Sequence, residues 1–314
     1  MSDQPGPLLL LDSASMYFRA FFALPDTMTA PDGTPVNAVR GFLDAIARLV
    51  TTHRPARVVA CWDDDWRPAF RVEAIPSYKE HRLAGDGGEE VPAALTAQVP
   101  VIVDVLAALG IPRLGSPGYE ADDVIGTLVA REVAAGERAA EVLVMTGDRD
   151  LFQLVDDAAG VAVLYPVRGS KEPVRIDEAW LAEKYDVSGG QAYADMATLR
   201  GDPSDGLPGV PGIGEKTAAG LLRRFGTLEG IVAAAQDRGS EMTATQRRRI
   251  LDAADYLAVA PTVVQVARDA PVAQDRGDLT DVPADGEALL ALAERWGLES
   301  SLRRLVDACS GAAG

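Results

Sequence analysis

Short unbroken apolar runs alternate along this chain with longer segments whose apolar residues recur every three or four positions. The runs are PLLLLD ending at Asp12, ARVVACWD ending at Asp63, IPRL at 111–114, AAEVLVMTGDRD around Met145, and GVAVLY ending at Tyr165. Continuous apolar runs of this length predict strands buried on both faces. SASMYFRAFFAL, VNAVRGFLDAIARLVTTH and PAALTAQVPVIVDVLAALG carry the helical period, with Ser13 a candidate cap and Gly110 a stop. Strands alternating with helices predict an α/β fold, a central parallel sheet flanked by helices. The pattern lapses from Asp64 to about Glu90 into a polar stretch rich in charge and glycine. From about Pro173 the chain reads as helices with short connections, apart from an extended TVVQVARDAPV and a frayed CSGAAG tail. No internal repeat or low-complexity segment is present.

Composition narrows the chemistry. The 314 residues are 47% apolar, an ordinary globular value, and no apolar run reaches membrane-spanning length. The start MSDQPGP lacks the charged and apolar regions of a signal peptide, so a soluble, cytoplasmic protein with no membrane partner is expected. Two cysteines, Cys61 and Cys309, exclude a disulfide framework or a thiolate zinc site, and two histidines, His53 and His81, argue against a histidine site. Any metal here is a hard cation held by oxygen, magnesium or manganese. The net charge of −17 counts against a nucleic-acid partner, since phosphate affinity comes from Lys and Arg. Bound divalent ions and a local basic stripe would offset it.

Three strand runs deliver an aspartate at the carboxyl end: Asp12, Asp63 and Asp148. Ligand sites of open parallel sheets gather at that edge. A fourth strand leads into YEADDVIGTL, where Glu120, Asp122 and Asp123 fan around a helix start. Acids there interact favourably with the helix dipole, worth about 0.3–1 kcal/mol each, and a single post-strand aspartate is usually a cap. Convergence of all of them would raise their pKa values unless cations sat between them.

In the helical half, LRGDPSDGLPGVPGIGEKTAAGLL places Asp202 and Asp205 in a loop before a glycine-rich turn. Turn chemistry alone accounts for those two aspartates. The segment is not a P-loop, because Glu215 separates Gly214 from Lys216 and no strand precedes it. It reads as a turn whose backbone N–H groups face a DNA phosphate, with Gly209, Gly212, Gly214, Lys216 and Thr217 as contacts. The polar stretch carries Arg67, Arg71, Lys79 and Arg82 with Tyr78 among them. A solvated loop is the ordinary reading of such charges, and phosphate binding the alternative. Arg19 joins that basic set, and Tyr17 and Phe18 are candidates to stack on a base. Phe21 and Phe22 are expected in the core, and Arg247–Arg249 on an exposed helix face, with distant phosphate contact the alternative.

The motifs GYEADDVIGTL, TGDRDLFQLV and LRGDPSDGLPGVPGIGEKTA resemble the 5′–3′ exonuclease and flap endonuclease family, as in the N-terminal nuclease domain of bacterial DNA polymerase I. The resemblance runs from about Leu8 to Leu305. It implies a PIN-like (resolvase-like) core at 7–174 with an arch at about 67–92. A helical DNA-binding part follows at 175–305, with a helix-three-turn-helix at about 195–226. It also implies two Mg2+ or Mn2+ ions. Asp12, Asp63, Glu120 and Asp122 lie nearer one, and Asp123, Asp148, Asp150, Asp202 and Asp205 nearer the other. Lys79, Arg71, Arg82 and Arg19 are the family's basic residues, and K+ is expected near Val210 and Ile213. Asp63 is the matched acid of WDDDW, with Asp64 and Asp65 solvated, and Gly206 stands where many relatives have Asn.

The implied function is a structure-specific 5′-nuclease acting in primer removal and DNA repair. It would be a monomer in the bacterial cytoplasm, at the nucleoid, acting on DNA with 5′ flaps, nicks, overhangs or RNA primers. Two rival readings are a non-catalytic DNA-binding module of the same fold and a PIN-type metal-dependent ribonuclease. Exonuclease against endonuclease preference, magnesium against manganese, and order of the arch without DNA are not specified by the sequence.

Overall fold

The computed structural model describes residues 6–85, 88–136, 140–170 and 172–312. The strands are β1 (Leu8–Asp12), β2 (Arg57–Cys61), β3 (Arg113–Leu114), β4 (Val142–Met145), β5 (Val161–Tyr165) and β6 (Val174–Ile176). The helices of the first half are α1 (Ser13–Ala23), α2 (Asn37–His53), α3 (Ala69–Ala74), α4 (Ala93–Thr96), α5 (Val99–Leu109) and α6 (Ala121–Ala134). Those of the second are α7 (Glu178–Tyr185), α8 (Gly190–Arg200), α9 (Glu215–Phe225), α10 (Leu228–Gln236), α11 (Ala244–Asp252), α12 (Ala254–Val264), α13 (Gly286–Trp296) and α14 (Glu299–Ala312). Two compact units form. One comprises Met1–Asp64, Glu90–Gly147 and Arg268–Gly314, the other Asp65–Glu89 and Asp148–Ala267. Compactness thus groups the chain differently from a single cut near residue 174.

In the first unit β1 is flanked by β2 and β4, with β3 beyond β2, all parallel. Every residue of β1, β2 and β4 is buried, which is why these strands read as unbroken apolar runs. Chain order runs from β1 outward to β2 and β3, then crosses to β4 on the other side. That reversal makes a crevice at the carboxyl ends of β1 and β4, the position where open α/β sheets bind ligands. Helices α1, α2 and α14 pack together, as do α5 and α13. The closing segment covers the amino-terminal half of β2, which β3 does not reach. Val58 N donates to Gly277 O at 2.7 Å, and Leu279 N donates to Ala56 O at 2.9 Å.

The second unit is helical, with β5 and β6 as an antiparallel pair, Val163 facing Ile176. Its core includes the aromatic rings of Phe152, Tyr165, Trp180, Tyr185 and Tyr193, mutually at 5.2–5.8 Å. The buried Gln153 side chain donates to Asp150 O and Val264 O and accepts from Val266 N, tying the chain beyond α12 to this core.

Several local expectations are corrected. Asp12, not Ser13, caps α1, accepting from Ser15 N. PAALTAQVPVIVDVLAALG is two helices, with Pro100 in the first turn of the second, where its missing N–H costs nothing. Buried Gln98 sits at the break and accepts from Ala38 N and Val39 N at the start of α2. TVVQVARDAPV is the end of α12 and an irregular segment, and β6 escaped the pattern because three residues carry little periodicity. Phe22 is 71% exposed rather than in the core. Among the described residues no helix is long and apolar enough to cross a membrane.

Gly41 marks the tightest contact of α1 with α2: an added Cβ would lie 2.6 Å from Ala20 Cβ and 2.7 Å from Leu24 Cδ1. Gly41→Ala gains about 1 kcal/mol of helix propensity. The overpacking costs about 1–3 kcal/mol. A lowered urea midpoint is expected, and an unchanged or raised one would show that the two helices separate freely.

Candidate functional site

At the carboxyl edge of the first unit's sheet, the strand register brings Asp12 beside Cys61, and Leu11 beside Met145. Asp12 is buried. Its Oδ1 accepts from Ser15 N at 3.1 Å, and its Oδ2 accepts from the Thr146 hydroxyl at 2.6 Å. Gly147 N donates to Ser15 Oγ at 2.8 Å, closing the loop after β4 over the start of α1. Asp63, two residues past β2, accepts from Ala121 N at 2.8 Å. Burial pushes the Cys61 thiol well above its usual value, and Asp12, Asp122 and Asp63 push it further. Asp12 faces Cys61 in the strand register and Asp63 follows Cys61 by two residues, so both stand at the end of β2.

Glu120 and Asp123 are buried and form a reciprocal capping box at the start of α6, with Glu120 N donating to Asp123 Oδ2 at 3.2 Å. Asp122, half-buried, points elsewhere on the helix. The ordinary cap thus explains two of the three crowded acids structurally, and Asp122 is the one it leaves over. Asp64, expected to be solvated, is exposed but pairs with Arg113 at 2.8 Å. Gly115 leaves room for it, since a Cβ there would lie 2.4 Å from the Asp64 carboxylate. Asp65 in the second unit accepts from Arg67 N at 3.1 Å.

The second unit holds four of the nine predicted site acids: Asp148, Asp150, Asp202 and Asp205. Burial, then Asp148, Asp205 and Asp202 in that order, push Asp150 up to about 8, with Arg200 opposing. Asp148 Oδ1 accepts from Asp150 N at 2.9 Å. Asp202 caps the 3-10 turn Pro203–Asp205, accepting from Ser204 N at 2.8 Å and from the Ser204 hydroxyl. Asp205 is buried, and its carboxylate accepts from Arg82 Nη2 at 2.6 Å.

The donor set is all carboxylate, the chemistry of a hard cation. Among the described residues, no three or more His, Cys, Asp or Glu are gathered closely enough to enclose a metal ion by themselves. A hard divalent cation can keep several waters and take only one or two carboxylates. The arrangement does not fit a closed structural cage. Ser13 Oγ, beside Asp12 in the chain, is buried without a partner, a polar vacancy beside the first unit's acids.

The basic residues divide. Arg71 is only 2% exposed. Its Nε donates to Val263 O at 3.1 Å, at the negative end of α12, and its guanidinium lies 5.0 Å from the Phe70 ring centroid. Tyr78, expected as a DNA contact within the polar stretch, is a core residue, packed with Ile75, Leu207, Ala260 and Val263. Its aromatic body is worth more in that apolar cluster than in a polar loop. Lys79 is half-buried, with its ammonium 5.1 Å from the Tyr78 centroid. The segment around it is tied to the Asp202–Leu207 loop: Ser77 Oγ donates to Gly206 O at 2.7 Å, and Lys79 N donates to Asp205 O at 3.1 Å. Gly206 has φ +75°, and a Cβ there would fall 2.0 Å from Ser77 O, so the backbone approach itself requires glycine. In the first unit Arg19 is exposed on α1, and Phe18 is half-buried and stacked on Tyr17 at 5.4 Å.

The glycine-rich turn is built by backbone approach. A Cβ on Gly209 would lie 2.3 Å from Arg200 O. Val210 N donates to Leu199 O and Ile213 N donates to Val210 O, with the Val210 and Ile213 side chains buried. Gly214 caps α9 in extended backbone with open space where a Cβ would be, and Lys216 is exposed on the first turn. Thr217 is half-buried there. Arg249 is not a plain surface residue: its Nη1 donates to Gly212 O at 2.8 Å. Arg247 caps the end of α10 through the carbonyls of Ala234, Ala235 and Asp237. Only Arg248 of the three is exposed. Thr146 and Arg249 were missed because a lone Thr or Arg carries no signal until the fold supplies its partner.

Asp150 gives a pH test. Its folded pKa of about 8 lies above the ordinary 3.8, so its contribution to stability is fully present below 3.8 and is lost as pH rises through 8. In EDTA, Asp150→Asn should raise the melting temperature more at pH 8.5 than at pH 5. Equal increments at both would contradict the crowding.

Comparison with known proteins follows the same lines. The family model described as 5′-3′ exonuclease, N-terminal resolvase-like domain, matches residues 7–186. The model described as 5′-3′ exonuclease, C-terminal SAM fold, matches 189–287. A 5′-3′ exonuclease of Streptomyces coelicolor is 61% identical over 303 residues, covering 95% of this chain and 98% of that protein. One from Mycobacterium tuberculosis is 52% identical over 317 residues, covering 96% and 98%. DNA polymerase I of Mycobacterium bovis is 37% identical over 98% of this chain, which spans 32% of that longer protein. In fold, the chain resembles a T5 5′-exonuclease bound to divalent metal ions (zinc), with TM-score 0.63, 16% identity, and 98% and 100% coverage. It also resembles the catalytic core of Rad2 in complex with DNA substrate, with TM-score 0.59, 17% identity, and 97% and 93% coverage. With both of its family models matched in order and full-length relatives above 50% identity, the chain belongs to the 5′-3′ exonuclease family.

Proposed function

We propose that this nuclease hydrolyses DNA phosphodiester bonds at 5′ ends and 5′ flaps, using two divalent cations, magnesium or manganese. The observation that carries the reading is the placement of Asp12 and Asp63 at the carboxyl end of β2, with Asp63 bonded to the first residue of the α6 turn that carries Asp122, at the sheet's reversal point. When bound, the ions would activate water and stabilise the leaving 3′-oxygen. Asp12, Asp63, Glu120 and Asp122 would hold one ion, with Asp123 fixing the Glu120 backbone. Asp148, Asp150, Asp202 and Asp205 would hold the other, some through water. Lys79 and Arg82 meet charge on the scissile phosphate, and Arg71 anchors the base of the arch. Arg19 and Phe18 contact DNA from α1.

The segment at about 67–92 is the arch that admits a free 5′ strand. The glycine-rich turn, with Gly209, Gly212, Gly214, Lys216 and Thr217, grips the duplex backbone. Potassium at the turn is part of the same reading, through the carbonyls of Val210 and Ile213. The Val210 carbonyl accepts Ile213 N–H and retains a second lone pair for an ion. The catalytic part is assigned to 7–174 and the duplex-gripping part to 175–305. A monomer acting in the cytoplasm, at the nucleoid, on flaps, nicks, overhangs and RNA primers completes the proposal.

Asp148→Asn should slow cleavage of a 5′-flap substrate in magnesium by roughly 100-fold or more. Cleavage at the wild-type rate would contradict the assignment. Lys216→Ala should weaken duplex binding and make its salt dependence shallower by about one phosphate contact. An unchanged slope would remove the turn from the phosphate grip.

A further inference from the structure

We infer that Arg67 is a positioning residue for Lys79, holding the two carbonyls that precede it in the turn. The inference rests on the reading of Lys79 as a phosphate-facing group. Among the described residues three non-glycine positions have positive φ: Arg54, Lys79 and Asp186. Arg54 and Asp186 close the ends of α2 and α7, where a left-handed residue is the ordinary helix terminus. Lys79, at φ +48°, ends no α-helix and instead starts the 3-10 turn Glu80–Arg82. Left-handed backbone at a residue with a Cβ is unfavourable and persists where surrounding contacts over-determine it.

Those contacts are present on both sides of the turn. On one side Ser77 Oγ donates to Gly206 O and Lys79 N to Asp205 O, at 2.7 and 3.1 Å. On the other, Arg67 Nε donates to Tyr78 O at 2.6 Å and its Nη2 donates to Pro76 O at 2.9 Å. Every residue from Pro76 to Lys79 is thereby held by its backbone or side chain. Arg67 is itself placed by its own N–H on Asp65 Oδ1 and by Pro68, the residue that caps α3. A planar fork reaches two carbonyls two residues apart, whereas one ammonium does not. With the turn fixed, the buried Tyr78 ring is a floor over which the Lys79 ammonium lies, and the side chain leaves the turn in one direction. Arg67 then acts on the reaction through Lys79 and not by touching DNA.

The test is a double-mutant cycle on the full chain, with kcat and KM measured on a 5′-flap substrate in magnesium and thermal melts of each variant. Arg67→Ala should lower kcat by roughly 10- to 100-fold, the scale of a small misplacement of a catalytic group, with KM little changed. In the Lys79→Ala background it should cause no further loss. Arg67→Lys should not rescue, and Arg67→Gln, with a donor for one carbonyl, should fall between; Gln carries the test if the alanine variant does not fold. A loss of equal size in both backgrounds, a rise in KM alone, or wild-type kcat in Arg67→Ala beside a slow Lys79→Ala would overturn the inference only. Lys79→Ala at the wild-type rate would sink the reading of Lys79, and the inference with it.

Discussion

Two carboxylates a few ångström apart in a partly dry pocket repel, and each makes the other harder to ionise. The two units of this chain meet that repulsion differently. In the first, donors are supplied by the fold itself: Ser15 N and the Thr146 hydroxyl to Asp12, Ala121 N to Asp63, Glu120 N to Asp123. These bonds occupy carboxylate oxygens and fix the directions of the side chains. In the second, burial and three acidic neighbours push Asp150 up to about 8.

The basic residues show a related economy. Three of the second unit's basic residues are tethered at defined places. Arg82 lies on Asp205, Arg71 on the Val263 carbonyl, and Lys79 over the Tyr78 ring. The Ser77 hydroxyl and the Lys79 N–H both end on carbonyls of the Asp202–Leu207 loop, and the Ser77 carbonyl comes close enough to position 206 that only glycine fits there. An asparagine there would need that approach to open.

Strong local signals were legible before the fold was known. Strands buried on both faces make unbroken apolar runs, so β1, β2 and β4 and the aspartates after them could be read from PLLLLD, VVACWD and VLVMTGD. The glycine-rich turn was equally plain, because positive φ at Gly209 and Gly212 restricts residue choice. What stayed hidden depends on tertiary partners. Tyr78 and Arg71 look like surface residues in a polar stretch, yet an apolar cluster and a helix terminus far along the chain bury them. The division into units was hidden for the same reason: Asp65–Glu89 packs with residues beyond Asp148, and no local pattern announces that.

The central claim is that the two carboxylate sets hold separate divalent ions. A manganese titration followed by electron paramagnetic resonance, on the full chain with a cleaved-product duplex, tests it most directly. The account predicts two ions per wild-type chain, one when Asp12 and Asp63 are both changed to Asn, and one when Asp202 and Asp205 are. Two ions retained in either double variant, or a single ion in the wild type, would contradict it.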